Sequence, residues 1–256
     1  MNSQRLIFLL RLAFLHYKNL YAGTRFGFFW IILGPILMLA LYSLTYSVIY
    51  KVILPDYSVF QYIINVYAGI ILLLTTMNTF SSASSALKRD ARLRNLGLSI
   101  VDIPIKGSII EFIPFLLSLF LLATLSIISL KSVTHLLLYL LFSIFFYLFI
   151  LTLVRVISIL GVLFKDIQFI IPYIGIALLL VTPISYIPSM IPDNYKILFR
   201  VNPLYYFCIA FQKISIDGSI SASLMIGIGI FSVIACYLSA IFYKKSIPLI
   251  LDSISQ

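Results

Sequence analysis

The chain has 256 residues, 62% of them hydrophobic and only 10% charged, with a formal net charge of +10. Soluble domains carry about 25% charged residues, so this composition cannot cover a water-facing surface and excludes an ordinary soluble enzyme. Apolar runs of about 20 residues, enough to cross about 30 Å of hydrocarbon as helix, recur along the chain, whereas the alternating segments of a transmembrane barrel do not. The expected fold class is an all-α, multi-pass integral membrane protein.

In chain order, Gln4, Arg11, Lys18 and Arg25 come first, seven residues apart with Leu, Ile, Phe and Tyr between them. Residues 1–24 are read as an amphipathic helix lying along a membrane surface, with a cytoplasmic extension of the first span as the alternative. Gly23 and Gly27 mark an elbow. Six spans follow, at residues 26–50, 60–82, 108–130, 135–160, 167–186 and 222–243, with short connections making two hairpins of the first four.

Loop charge sets the orientation. With the N-terminus inside, thirteen of the eighteen Lys and Arg residues fall on that side, so both termini are expected in the cytoplasm. The positive charge then reflects topology and anionic headgroups, with no nucleic acid implied. Residues 88–100 form the largest cytoplasmic loop and hold Lys88, Arg89, Arg92 and Arg94, a helix read as broken at Gly97 and at Pro104. It either docks into a cleft on a partner or is a solvated loop, and charge alone does not separate the two.

Catalytic signatures are missing. There is no GxxxxGK[ST] phosphate loop and no HExxH, the histidines are His16 and His135, and Cys208 and Cys236 lack metal or disulfide spacing. The chain is read as neither an enzyme nor a metal or cofactor binder. Glu111 and Arg155 lie within spans, where ionisable groups are functional candidates by default. Both fall near the inner ends of neighbouring antiparallel spans, so they are expected to form a structural ion pair or to snorkel, and not to relay protons.

Tyr42, Tyr46 and Tyr50 recur every four residues on the outer half of the first span. They are either an interfacial belt or the lining of a passage, and the depth of Tyr42 favours the passage. The second span adds Asn65, Thr75, Thr76, Asn78 and Thr79, polar enough to line a hydrated path. Thr182–Tyr206 is too rich in proline and charge to span a bilayer, yet too apolar for a solvated loop.

Two stretches carry a resemblance. "HYKNLYAGTRFGFFWIILGPILMLALYSLTYSVIY" resembles the entry to the first span of type-2 ABC export permeases that move polysaccharides: a basic, aromatic stretch, a Gly-rich turn and a proline before an aromatic helix. Arg25, Phe26, Gly27, Phe28, Phe29 and Trp30 hold that pattern, with Phe26 where leucine is usual. "LFKDIQFIIPYIGIALLLVTPISYIPSMIP…FRVNPLYY" is similar to the family's later motifs. Lys165-Asp166 stands for an Arg-Asp pair, Thr182-Pro183-Ile184-Ser185-Tyr186 for "SPVxY", and Asn202-Pro203-Leu204 for "NPL".

The resemblance implies a single permease domain over residues 1–256, working as a homodimer around a channel. It implies an ATP-binding partner subunit in two copies, with Mg-ATP bound there and not in this chain, and a lipid-linked polysaccharide of O-antigen or capsule type as cargo. The setting would be the bacterial cytoplasmic membrane. It assigns Arg11, Lys18, Lys88, Arg89, Arg92 and Arg94 to ATPase coupling, and the chemistry of the residues themselves assigns Tyr42, Tyr46, Tyr50, Trp30, Asn65 and Thr76 to the substrate path. It makes residues 187–216 an outer gate of short re-entrant helices, with Pro183, Tyr186, Pro188, Pro192, Asn202 and Pro203 at the turns. A permease of the same fold for teichoic acid, lipid or drug is the alternative, and a non-transporting scaffold a more distant one.

Overall fold

The computed structural model describes residues 3–45, 57–91 and 97–255. Among these residues the regular structure is helical throughout, with no strand.

Helix α1 (Ser3–Leu20) buries Leu9, Ala13 and Tyr17, a stripe one turn apart. Its Arg5 reaches Asp102 and its Tyr17 hydroxyl donates to the Ile110 carbonyl, so α1 runs beside the start of α4 in the same direction. The chain then turns at Gly23 and Gly27, both at positive φ (79° and 50°), which glycine adopts without steric cost. A 3₁₀ turn (Gly27–Phe29) follows, so α2 (Trp30–Ser43) starts later than the expected residue 26. The expected continuation to residue 50, with Tyr46 and Tyr50, lies outside the described residues.

Helix α3 (Val59–Asp90) opens on a capping box. Ser58 Oγ accepts from the Gln61 N–H and Gln61 Oε1 from the Ser58 N–H, satisfying two donors the helix itself leaves free. No breaker interrupts it, so it passes the expected end at 82 and carries Lys88 and Arg89 in its last turn. The expected loop therefore starts within a helix. Helix α4 (Asp102–Leu130) begins earlier than expected, and Pro104 does not break it. That proline sits in the first turn, where an N–H has no intrahelical acceptor to lose.

Helix α5 (Leu136–Leu163) returns antiparallel to α4. Its Gly161 presses onto α3 so closely that a Cβ there would lie 1.9 Å from the Ser84 carbonyl oxygen. Helix α6 (Ile167–Val181) ends five residues before the expected 186, because Thr182 precedes Pro183 and takes an extended conformation (φ −109°, ψ 127°). After two 3₁₀ turns come α7 (Lys196–Val201) and α8 (Pro203–Asp217). Helix α8 is punctuated by the Asn202 cap, Pro203 at its first position and Gly218 (φ 64°) past its end.

Helix α8 fills the space between α3, α4, α5 and α9. Its Phe207 and Phe211 stack into a ring cluster with Phe142, Phe146 and Phe149, the Phe142–Phe211 centroids being 4.6 Å apart at 10°. Helix α9 (Ala222–Ser255) packs chiefly on α5 and continues beyond the expected residue 243. By length and composition α3, α4, α5 and α9 can cross a membrane, while α2 and α6 are apolar but shorter. The chain is a multi-pass membrane protein.

Candidate functional site

Three polar assemblies sit on this scaffold, two of them on opposite faces of α3. The first is a crevice of about 270 Å³ between the α1–α2 elbow, α3 and α4. Its polar lining is Tyr21, Trp30, Tyr67, Thr75, Asn78 and Ser118, with Gly34 and Pro35 of α2 completing one wall. The elbow delivers Trp30, whose ring stands edge-on to Phe26 with centroids 5.9 Å apart. Tyr21 stacks on Tyr17 at 6.5 Å and 13°, and the Tyr67 hydroxyl approaches the Pro35 carbonyl at 3.4 Å. Burial raises the ionisation of both Tyr17 and Tyr21 above the usual phenol range, so both phenols stay neutral. The crevice therefore offers aromatic faces with neutral donors and acceptors, and its wall α2 keeps Ile32, Ile36, Leu37 and Leu41 on its exposed side.

The second assembly holds the unwound stretch after α6. Gln212 Nε2 donates to the Pro183 carbonyl at 2.8 Å and also lies 3.3 Å from the Asn65 carbonyl. Asn65 Nδ2 reaches the Ile184 carbonyl at 3.4 Å, the Tyr62 hydroxyl donates to the Ser185 carbonyl at 3.2 Å, and Asn202 Nδ2 donates to Thr182 Oγ1 at 3.0 Å. Non-helical backbone at this depth needs such partners, because unpaired carbonyls away from water are costly. Gly69 lets Ile184 approach: a Cβ there would stand 3.1 Å from the Ile184 Cα.

The third assembly ties the end of α3 to the starts of α4 and α1. Lys106 Nζ pairs with Asp90 at 2.7 Å, both side chains being only 5% exposed, and Arg89 approaches the same carboxylate at 3.3 Å. Arg5 pairs with Asp102 at 2.6 Å, and Ser99 donates to that carboxylate through both its N–H and its hydroxyl. His16 lies against this cluster. Burial first, then the Arg89 and Lys106 charges, hold its imidazole below its ordinary range, against an opposing pull from Asp90. Arg11 and Lys18 of α1 and Lys88 of α3 are exposed.

The predicted path residues are divided by this arrangement. Trp30 lines the crevice, and Tyr42 is half-buried against the main core. Asn65 is spent on the pinned stretch. Thr76 is 1% exposed and donates to the Leu72 carbonyl of its own helix, so it lines no path. Tyr46, Tyr50, Arg92 and Arg94 lie outside the described residues. Among the predicted gate residues, Pro183 supplies the pinned carbonyl and the Tyr186 hydroxyl donates to the Leu180 carbonyl at 2.8 Å. Pro188 and Pro192 start the two 3₁₀ turns, and Asn202 with Pro203 starts α8.

The expected Glu111–Arg155 pair does not form. Arg155 Nη1 turns to α9, donating to the Cys236 carbonyl at 2.9 Å and approaching Ser239 Oγ at 3.3 Å. Glu111 instead lies beside Ser82 of α3. The two residues project from different sides of their helices. Gln212, Tyr21, Tyr67 and Ser118 were missed in the sequence. Gln212 alone left a signal, a lone amide in an otherwise apolar run.

Among the described residues no cluster of three or more His, Cys, Asp or Glu could hold a metal ion. The model of one family, the ABC-2 type transporter, matches residues 9–216, which takes in the crevice, the pinned stretch and most of α1 and α8. No curated protein matches the chain.

Proposed function

The chain belongs to the ABC-2 type transporter family and is a membrane permease of an ABC exporter, and from that premise we propose that it passes a lipid-linked polysaccharide along the α2–α3 face. The observation that carries this reading is the crevice itself. Tyr21, Trp30 and Tyr67 present aromatic faces with Thr75, Asn78 and Ser118 between them. Aromatic rings stack on the apolar faces of sugars while neighbouring hydroxyls and amides meet sugar hydroxyls, with no demand for charge. Tyr42, four residues beyond Met38, continues the crevice side of α2, and the four-residue spacing of Tyr46 and Tyr50 in the sequence assigns them to the same path.

Two copies of the chain enclose the channel, the exposed apolar sides of α2 and α6 facing the partner copy and lipid. α2 and α6 complete six crossings, with both termini in the cytoplasm of a bacterial cell. Arg11, Lys18, Lys88, Arg89, Arg92 and Arg94 form the surface for two ATP-binding subunits, which bind Mg-ATP. The ion pairs of Asp90 and Asp102 link that surface to α1, α3 and α4. The pinned stretch and α7 gate the outer mouth.

The test is a strain lacking this chain, from which lipid-linked glycans of the cytoplasmic membrane are extracted and compared with polymer at the cell surface. Long polymer trapped inside, none outside, and rescue on re-expression is the expected result. Normal surface polymer would overturn the polysaccharide assignment.

A further inference from the structure

A second cavity lies away from the crevice, walled by α7, the start of α8 and the first half of α9. It is a groove of about 420 Å³, within the roughly 300–1,000 Å³ of small-molecule sites. Its sides are apolar, formed by Val201, Pro203 and Phe207 facing Leu224, Ile228 and Phe231. Ser223 and Phe231 are about two turns apart on α9, so the groove runs roughly 12 Å along that helix. Because Ser223 is at the very start of a membrane-crossing helix, one end of the groove lies at a membrane surface.

Two independent features ask for an occupant. The first is Gly227. A glycine inside a helix costs about 0.5–1 kcal/mol relative to alanine; Gly161 on Ser84 and Gly229 on Phe145 serve close packing, whereas Gly34 has open space beside it and lines the first crevice. A Cβ on Gly227 would meet nothing within 4 Å, so this glycine makes room for nothing in its own chain; it deepens the groove. The second is Arg200. It lines the groove and is exposed, and among the described residues it makes no ion pair, whereas Lys196 on the same short helix pairs with Asp193 at 2.5 Å. An exposed arginine at the end of an apolar groove can extend to the headgroup level of a membrane, and a guanidinium suits phosphate.

We propose that this groove seats one acyl chain of an anionic glycerophospholipid of the surrounding bilayer, with Arg200 on its phosphate. The Tyr206 and Ser223 hydroxyls line the same groove and are available to the headgroup. The bound lipid fixes α7 and α8 against α9 and so sets the rest position of the segment that ends at the pinned stretch. The site stands on the chain being a membrane protein and does not depend on the nature of the exported cargo.

The test is native mass spectrometry of the purified full chain after incubation with equal amounts of phosphatidylglycerol and phosphatidylcholine. The chain retains phosphatidylglycerol preferentially. Arg200→Gln lowers the phosphatidylglycerol-to-phosphatidylcholine ratio at least tenfold, the equivalent of about 1.4 kcal/mol and near the low end for a hydrogen bond to a charged group. Gly227→Leu, which fills open space, lowers retention of both lipids. Equal retention of phosphatidylglycerol by the parent and both variants overturns the proposal. Displacement of phosphatidylglycerol by an equimolar isoprenoid phosphate also overturns it, by giving the groove to a carrier lipid.

Discussion

Helices α3 and α9 are of nearly equal length, 32 and 34 residues, yet they occupy opposite positions. The best spanning window of α3 is 72% buried inside the protein, and that of α9 is 28%. α3 is the more polar of the two, carrying Asn65, Thr75, Thr76, Asn78, Thr79 and a run of serines, whereas α9 faces outward with Ile226, Ile230, Val233 and Ile234. In water the apolar helix would go inside. Lipid tails are as apolar as leucine, so apolarity gives α9 no reason to leave them, and the interior goes to the helix with polar groups to satisfy and small residues to pack. Thr76 and Thr79 donate back to the carbonyls one turn earlier, which lets them pack in a dry interface without further partners.

Substitutions that unseat α3 should therefore cost far more than matched changes on α9. The largest effect is expected at the buried ion pair closing its end. Lys106→Met removes the buried partner of the Asp90 carboxylate and leaves it only the longer 3.3 Å contact with the more exposed Arg89, and should cost about 3 kcal/mol, seen as a collapsed monodisperse peak in fluorescence-detected size exclusion after mild heating. Gly161→Ala forces α5 off α3 at Ser84, an overpacking worth about 1–3 kcal/mol, while Gly34→Ala, inside α2 with open space around it, should instead raise the melting temperature slightly, a gain of about 0.5–1 kcal/mol. Gln212→Leu strips the Pro183 carbonyl of its 2.8 Å donor and should cost about 1–3 kcal/mol. A double-mutant cycle with Asn65→Leu should show coupling, since both side chains hold one segment.

Smaller still is a pH effect on α1. The detached helix takes up a proton on His16 near pH 6.5, whereas burial beside Arg89 and Lys106 makes the docked helix resist it. Docking is undiminished above that pH and weakens as pH falls below it, read by protease cleavage of α1 at pH 5.5 against 7.5. His16→Gln should flatten the difference. At the far end of the scale, Ile230→Ala on the exposed side of α9 should stay within about 0.5 kcal/mol of the parent.

The same contrast explains what could be read beforehand. The apolar runs located the long helices, and Gly23 and Gly27 marked the elbow, because length and backbone permissiveness are local properties. Their ends were displaced where local punctuation was overlooked: the Ser58–Gln61 capping box, Pro104 in a first turn, and Asn202-Pro203 with Asp217-Gly218 bounding α8. The partners of polar residues were not legible, because hydropathy fixes depth along a helix and says nothing of azimuth. Glu111 and Arg155 matched in depth and face different neighbours. Thr76 and Asn78 are two residues apart, and only Asn78 meets the crevice.

That division of α3 between a sealed face and a wet one is the central claim, and cysteine accessibility tests it most directly. Single cysteines would be placed at Asn78 and Ser118 on the crevice and at Thr76 and Thr79 on the core face, in a Cys236→Ser chain that keeps buried Cys208. Each is then exposed to a water-soluble maleimide in intact membranes. Labelling at 78 and 118, with none at 76 and 79 until the protein is denatured, is the predicted result. Equal labelling of all four positions, or protection of 78 and 118, would contradict it.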